Sequence, residues 1–385
     1  ALAYGLKFLW SPLVDRMKIP VLTNMIGQRR SWMLIAQVGV ISGLVLMAFS
    51  DPTTQLFWVV VYAVLTAFSS ATQDITIDAW RIEAVDDDLQ GAMAGTYQLG
   101  YRIGMIIAGS MAFVIADYFS WPVAYMSMAV FMLVGIVSTI IISEPDHTHN
   151  QQEWATEERV LNLLERTQHL PEKIRQLQAW FVGAVICPFA EFFNRHGWNA
   201  LMILGFIAVF RMSDITLGVM AFPFYQDMGY SGSEIGLVSG LVGKFVTISG
   251  ALIGGVLVVR YGVMKMLLAG AVIVILTNLL FAWLATQQPL LVWLILVVGA
   301  DNLAGGLAGT VFIAYLSSLT NRVYTATQYA LFSSIMLLLP KFVGGFSGVV
   351  VDASSYEWFF IYAAALGLPA VLMILLLMRQ KQAVA

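Results

Sequence analysis

Apolar runs recur along the 385 residues near 1–14, 31–50, 55–79, 92–116, 121–143, 199–224, 234–259, 263–286, 290–316, 326–351 and 357–378. A helix needs roughly 20 apolar residues to cross the hydrocarbon of a bilayer. Helices and closed barrels alone satisfy their backbone polar groups there. Only 11% of the residues are charged, and 59% are hydrophobic, whereas soluble domains carry about 25% charged residues. So few charges cannot build a water-solvated surface. The pattern predicts an all-α membrane protein with eleven spans present. The first run is too short to cross at about 1.5 Å per residue. The expectation is a chain trimmed inside its second helix, with the first helix missing.

The basic residues segregate. Residues 15–30, 80–91, 144–198, 260–265, 317–325 and the C-terminus, taken as one side, hold fifteen of the twenty Lys and Arg residues. The other five, Lys7, Arg102, Arg211, Lys244 and Lys341, fall inside runs. The opposite loops hold acids such as Asp51, Asp117, Asp227, Asp352 and Glu357. Lys and Arg accumulate in cytoplasmic loops, so the basic side reads as cytoplasmic.

The long loop 144–198 leaves five runs before it and six after. This predicts an N-terminal lobe over 1–143, a cytoplasmic linker over 144–198 and a C-terminal lobe over 199–385. Restoring one helix makes two six-helix lobes. Residues 146–178 are polar. Residues 179–194 are apolar but short, and Pro188 and Glu191 interrupt them. They read as an interfacial amphipathic helix rather than a further span. The halves echo each other: Asp117, Trp121 and Tyr125 in the first correspond to Asp352, Trp358 and Tyr362 in the second. Parallel six-helix repeats are the plan of the major facilitator fold.

Other classes are poorly supported. The net charge of −3 offers no basic field for nucleic acid. The single cysteine, Cys187, excludes an intrachain disulfide or a Cys pair for metal. There is no HExxH, nucleophile constellation or nucleotide-binding loop. No enzyme activity, catalytic residue, metal site or cofactor is therefore assigned. His147-Thr-His149 reads as part of an exposed loop.

Ser11-Pro-Leu-Val-Asp15-Arg16 precedes Gly27-Gln28-Arg29-Arg30. The second half repeats the idea as Gly255, Arg260, Gly262 and Lys265, with Val259 at the acid's position. An acid at a helix end can pair with basic residues and with a neighbouring helix terminus in one conformation and release them in another. Asp15, Arg16, Gly27, Arg29, Arg30 and Arg260 are the candidate conformational latch.

Ionisable residues inside spans are costly and mark cavities or partners. Asp74 and Asp78 share a helix face, with Arg81 close to it. A cluster holding acids and a base can change protonation as water access changes. Arg102 needs a partner, and Asp74 or Asp78 is the natural one; it could also grip a carboxylate bidentately. Tyr97 and Tyr101 offer rings beside it. Arg211 and Asp214 sit mid-span, three apart. Asp301-Asn302 opens the glycine-rich run Gly305-Gly306-x2-Gly309. Lys244 and Lys341 are further candidate counter-ions or anion binders.

At these residues the sequence resembles a known family. Lys7 to Arg16, Gly27 to Trp32, Ser70 to Trp80, Leu99 to Met105, Asp301 to Gly306 and Ala326 to Leu331 are similar to the AmpG-type muropeptide permeases of the major facilitator superfamily. The resemblance spares only 146–178. It implies multi-pass placement in a bacterial inner membrane and proton-driven import of anhydromuropeptides, the wall fragments whose recovery can signal β-lactamase induction. Asp301 stands where that family often carries glutamate.

The expectation is a proton-coupled importer working by alternating access, with protons, muropeptide and the lipid bilayer as partners and a monomeric chain. Asp74, Asp78, Asp214 and Asp301 are the proton-coupling candidates. Arg102, Tyr97, Tyr101, Gln98, Gln73, Trp80, Arg211, Asn302, Lys341 and Gln328 are the substrate-binding candidates. A permease for another anionic solute, such as an acetyl-CoA-like or peptide substrate, and a non-transporting receptor remain open alternatives.

Overall fold

The computed structural model describes residues 2–145, 158–167 and 171–384. His147 and His149 lie outside the described residues. Among those described, every regular element is helical. Eleven helices are long and apolar enough to cross a membrane. Ten of them overlap the expected runs. The first run forms only short helical pieces, Leu2–Leu6, Lys7–Leu9 and Ser11–Arg16.

The eleventh is Glu172–His196, longer than the expected 179–194. Its start was hidden because Glu172, Lys173 and Arg175 make the sequence read as polar. Its length suffices for a crossing, but its partners argue against one. It touches Arg16, Val323, Tyr324 and Gln328, which all lie in or beside the basic loops.

The structure comprises two compact units. One groups residues 1–86, 103–197 and 320–334; the other groups 87–102, 198–319 and 335–385. Each unit thus takes one segment from the opposite half of the sequence.

In the first unit, helix 28–48 packs against helix 56–83 and helix 121–141. Side chains added at Gly39 and Gly43 would collide with Ser69 and Thr66. In the second, helices 243–261 and 291–319 approach through glycines. A Cβ at Gly250 or Gly306 would overlap the backbone oxygen of Leu303 or Thr247. Small residues let helix backbones approach where lipid supplies no hydrophobic drive. Residues 90–102 of helix 90–105 join this unit in the same way, with Gly91 and Gly95 set against Gly255. An aromatic core of Phe224, Tyr225, Phe281, Phe359 and Phe360 closes one end.

Gly27 (φ 93°, ψ 168°) and Gly262 (φ 84°, ψ 153°) share one backbone conformation. That region is open essentially to glycine alone. Each initiates a helix, 28–48 and 263–284. The loop motif therefore recurs in backbone geometry even where Val259 has replaced the acid.

Candidate functional site

Three polar clusters occupy the helices, two in the first unit and one in the second. The first is built around Asp15, which is 2% exposed. Its Oδ1 accepts from Arg29 Nη2 at 2.9 Å and from the backbone N–H of Ala326 at 3.0 Å. Its Oδ2 accepts from the N–H and hydroxyl of Thr327 at 2.7 and 2.6 Å. The carboxylate therefore caps the start of helix 325–344, where the helix dipole places roughly half a positive charge. Arg29 also donates twice to Glu83, at 2.6 and 3.1 Å. Gln28 donates to the carbonyls of Val14 and Asp15. Arg30 donates to the carbonyls of Thr139 and Ile140.

Glu144, which the sequence reading passed over, caps helix 28–48. It accepts from the N–H groups of Arg29 and Arg30 at 2.7 and 3.1 Å. A side chain at Gly27 would collide with it. Arg16 lies over the Tyr324 ring at 6.0 Å. Arg260, exposed, stands over the adjacent Tyr261 at 5.4 Å.

The second cluster lies deeper in the first unit. Lys7, 2% exposed, donates to Asp74 at 2.6 Å and to Asp78 at 3.3 Å. Asp78 also accepts from Arg81 at 3.1 Å. The Arg81 guanidinium stands 4.7 Å from the ring of Tyr329. Lys7 and Arg81 thus balance these two acids within the first unit, and Arg102, the partner expected for them, groups with the second unit. Gln73 is half-buried on the same helix, and Trp80 donates to the carbonyl of Ser143.

The third cluster is in the second unit. Helices 199–210 and 212–227 meet at Arg211, whose φ of −95° and ψ of 7° break the helical run. Arg211 pairs with Asp214 at 2.5 Å. Arg102 is within electrostatic reach of both. Asp301 accepts from Thr277 at 3.2 Å and interacts with Asp214. Asn302 accepts from Thr247 at 2.7 Å. A cavity of about 20 Å³, room for one water, is lined by Arg211, Asp214, Gly305 and Gly309 among others. Buried Gln98 abuts Gly309, half-buried Tyr97 neighbours it in sequence, and Tyr101 is exposed.

Asp214 is thus in contact with Arg211 and within electrostatic reach of Arg102 and Asp301. The structure leaves Lys341 exposed on helix 325–344 and Lys244 half-buried on helix 243–261. Gln328 lies in the first unit, with its amide engaged by Pro188, Glu191 and Asn321.

The second and third clusters share a charge pattern. Each holds two cations and two carboxylates, so each is neutral when its acids are ionised. Adding one proton to either leaves a net positive charge in a setting that poorly solvates charge.

The sequence matches the Major Facilitator Superfamily over residues 2–344, with a second match over 201–384. The chain belongs to the major facilitator superfamily. Within it, the chain is AmpG-type. It is 33% identical to the putative transporter AmpG 4 of Rickettsia conorii over 98% of this chain and 86% of that protein. It is 32% identical to the anhydromuropeptide permease of Escherichia coli over 97% of this chain and 70% of that protein. The fold is similar to that of the proton:xylose symporter XylE, with a TM-score of 0.66 and 13% identity over 97% of this chain and 84% of that one. Family and fold point to a multi-pass transporter rather than an enzyme.

Proposed function

We propose that the chain imports anhydromuropeptides across the bacterial inner membrane, coupled to protons, by alternating access between two helical lobes. The substrate class follows from the similarity to the Escherichia coli permease. The coupling rests on one observation: Arg211 pairs with Asp214, and Arg102 and Asp301 are each within electrostatic reach of that Asp214.

The chemistry is an exchange of charge partners. With both acids ionised, the two guanidiniums are balanced and a substrate carboxylate gains little by entering. A proton on Asp214 or Asp301 leaves a guanidinium in need of an anion. The peptide carboxylate of a muropeptide supplies it, and Arg binds carboxylates in a bidentate fork. Proton and anion then occupy the site together, as symport requires. Gln98 and Asn302 add amide groups, and Tyr97 and Tyr101 add rings for the sugars. Asp74 and Asp78, balanced by Lys7 and Arg81, form a second protonation site. The Asp15 cap is the latch that the cycle opens and closes, with Arg29, Arg30 and Gly27 shaping it. The protein works as a monomer.

The test is uptake of labelled anhydromuropeptide into proteoliposomes with and without an acid-outside gradient. Accumulation above the external concentration only with the gradient supports the reading. Equal accumulation without it removes the coupling.

A further inference from the structure

We propose that helix 172–196 of the linker is a releasable clamp on the first turns of helix 325–344, holding them in the conformation that Asp15 caps. The proposal rests on the alternating-access reading above and gives the linker a part in it.

Four consecutive residues of that helix are held by three different elements. Ala326 and Thr327 donate to Asp15. Gln328 donates to the carbonyl of Pro188 at 2.9 Å and to Glu191 at 2.6 Å. Tyr329 lies under Arg81. The N–H groups of Ala326 and Thr327 point along the helix axis, and the side chains of Gln328 and Tyr329 project about 100° apart, so the turn is held at its end and on two faces. The linker helix adds apolar contacts on the same side. Phe192 packs on Phe332 with ring centroids 5.1 Å apart. Cys187 and Val182 cluster with Val323 and Tyr324.

The linker helix also meets the latch from the other side. Its turn at 182–186 is a π-helix, a distortion that often marks functional sites. Gly183 lies in that turn, and any side chain there would collide with the guanidinium of Arg16. Arg16 follows Asp15 in sequence and lies over Tyr324. The linker helix thus touches both the helix that carries the capping acid and the helix it caps.

The grip is built to release. Glu191 has a second partner, Arg195 at 3.1 Å, and both side chains are partly exposed, at 24% and 36%. When Gln328 withdraws, Glu191 keeps a counter-ion and gains water, so no buried charge is stranded. The helix gripped here also counts with both units: residues up to Ser334 group with one and those from Ile335 with the other. A segment that must change partners during a transport cycle is where such a clamp acts.

Two measurements test this in the full chain, in a Cys187→Ser background. In the first, Glu191→Cys and Gln328→Cys are oxidised to a cross-link in proteoliposomes. The clamp predicts that oxidation stops uptake of labelled anhydromuropeptide and that reduction restores it. Uptake at the reduced rate while cross-linked overturns the proposal, because the two helices then travel together. Absence of uptake in the unmodified protein refutes the importer reading instead. The second measurement needs no substrate: spin labels at Asn194 and Leu331 report the distance between the helices. A short and a long population are expected. Gln328→Ala should raise the long one at least about tenfold, the effect of losing the hydrogen bond to charged Glu191 together with that to the Pro188 carbonyl. A single short distance unchanged by Gln328→Ala overturns the clamp whatever the substrate is.

Discussion

The carboxylate of Asp15 accepts a hydrogen bond of 2.6 Å from the hydroxyl of Thr327, 312 positions away in the chain. The same carboxylate closes the amide terminus of helix 325–344 and pairs with Arg29. Two carboxylates, Asp15 and Glu83, thus share one buried guanidinium, and the helix terminus offsets part of the remaining negative charge.

Asp15→Asn tests that arrangement. Arg29 keeps Glu83 as its counter-ion, so the loss is that of hydrogen bonds to a charged acceptor, about 1.5–3 kcal/mol, and the capped conformation should lose at least about tenfold in population. Distance measurements between helices 11–16 and 325–344 should shift from the short to the long state. Thr327→Val should have a smaller effect in the same direction, since both backbone bonds to Asp15 remain.

The Lys7 cluster makes a separate prediction. Lys7→Met removes the cation shared by Asp74 and Asp78 and leaves Arg81 on Asp78. The variant should lose several degrees in Tm in detergent. Asp74→Asn added to Lys7→Met should recover much of the loss, because the pair is removed together. Coupled residues depart from additivity by about 0.5–3 kcal/mol, and a double-mutant cycle in thermal unfolding measures it.

Legibility followed the physics of each feature. The spans could be read because lipid imposes an apolar composition over a fixed length. That Asp15 pairs with a basic neighbour could be read from the motif. Its acceptor site could not, because a backbone N–H leaves no mark on sequence and lies more than 300 residues away. Lys7 was placed inside a run, but the run's short, broken helices hid which face it presents. Its place beside Asp74 was therefore not foreseen. Glu144 was missed because an acid next to a polar linker looks like one more loop residue. A free end of helix 28–48 needing a cap was the only available signal.

Helix packing gives a third prediction. A methyl group at Gly306 or Gly250 would overlap a facing carbonyl oxygen, whereas the space at Gly299 is open. Overpacking of this kind costs about 1–3 kcal/mol. Gly306→Ala and Gly250→Ala should lower Tm in detergent, and Gly299→Ala on the same helix as Gly306 should not.

The acids of the second unit should separate binding from energisation. Asp301→Asn holds the site in a form resembling the protonated one. Counterflow of labelled muropeptide should persist, while gradient-driven accumulation should fall about tenfold or more, the scale set by losing about 1.4 kcal/mol of driving force. Arg102→Ala should instead abolish counterflow along with accumulation, because it removes a carboxylate's partner.

The most direct measurement is proton movement on substrate addition. Anhydromuropeptide is added outside sealed, weakly buffered proteoliposomes with no imposed gradient, and external pH is followed together with entry of label. The account predicts that the outside turns alkaline as label enters, and that Asp301→Asn abolishes the pH change while label still exchanges. Entry of label with external pH unchanged in the unmodified protein would contradict it.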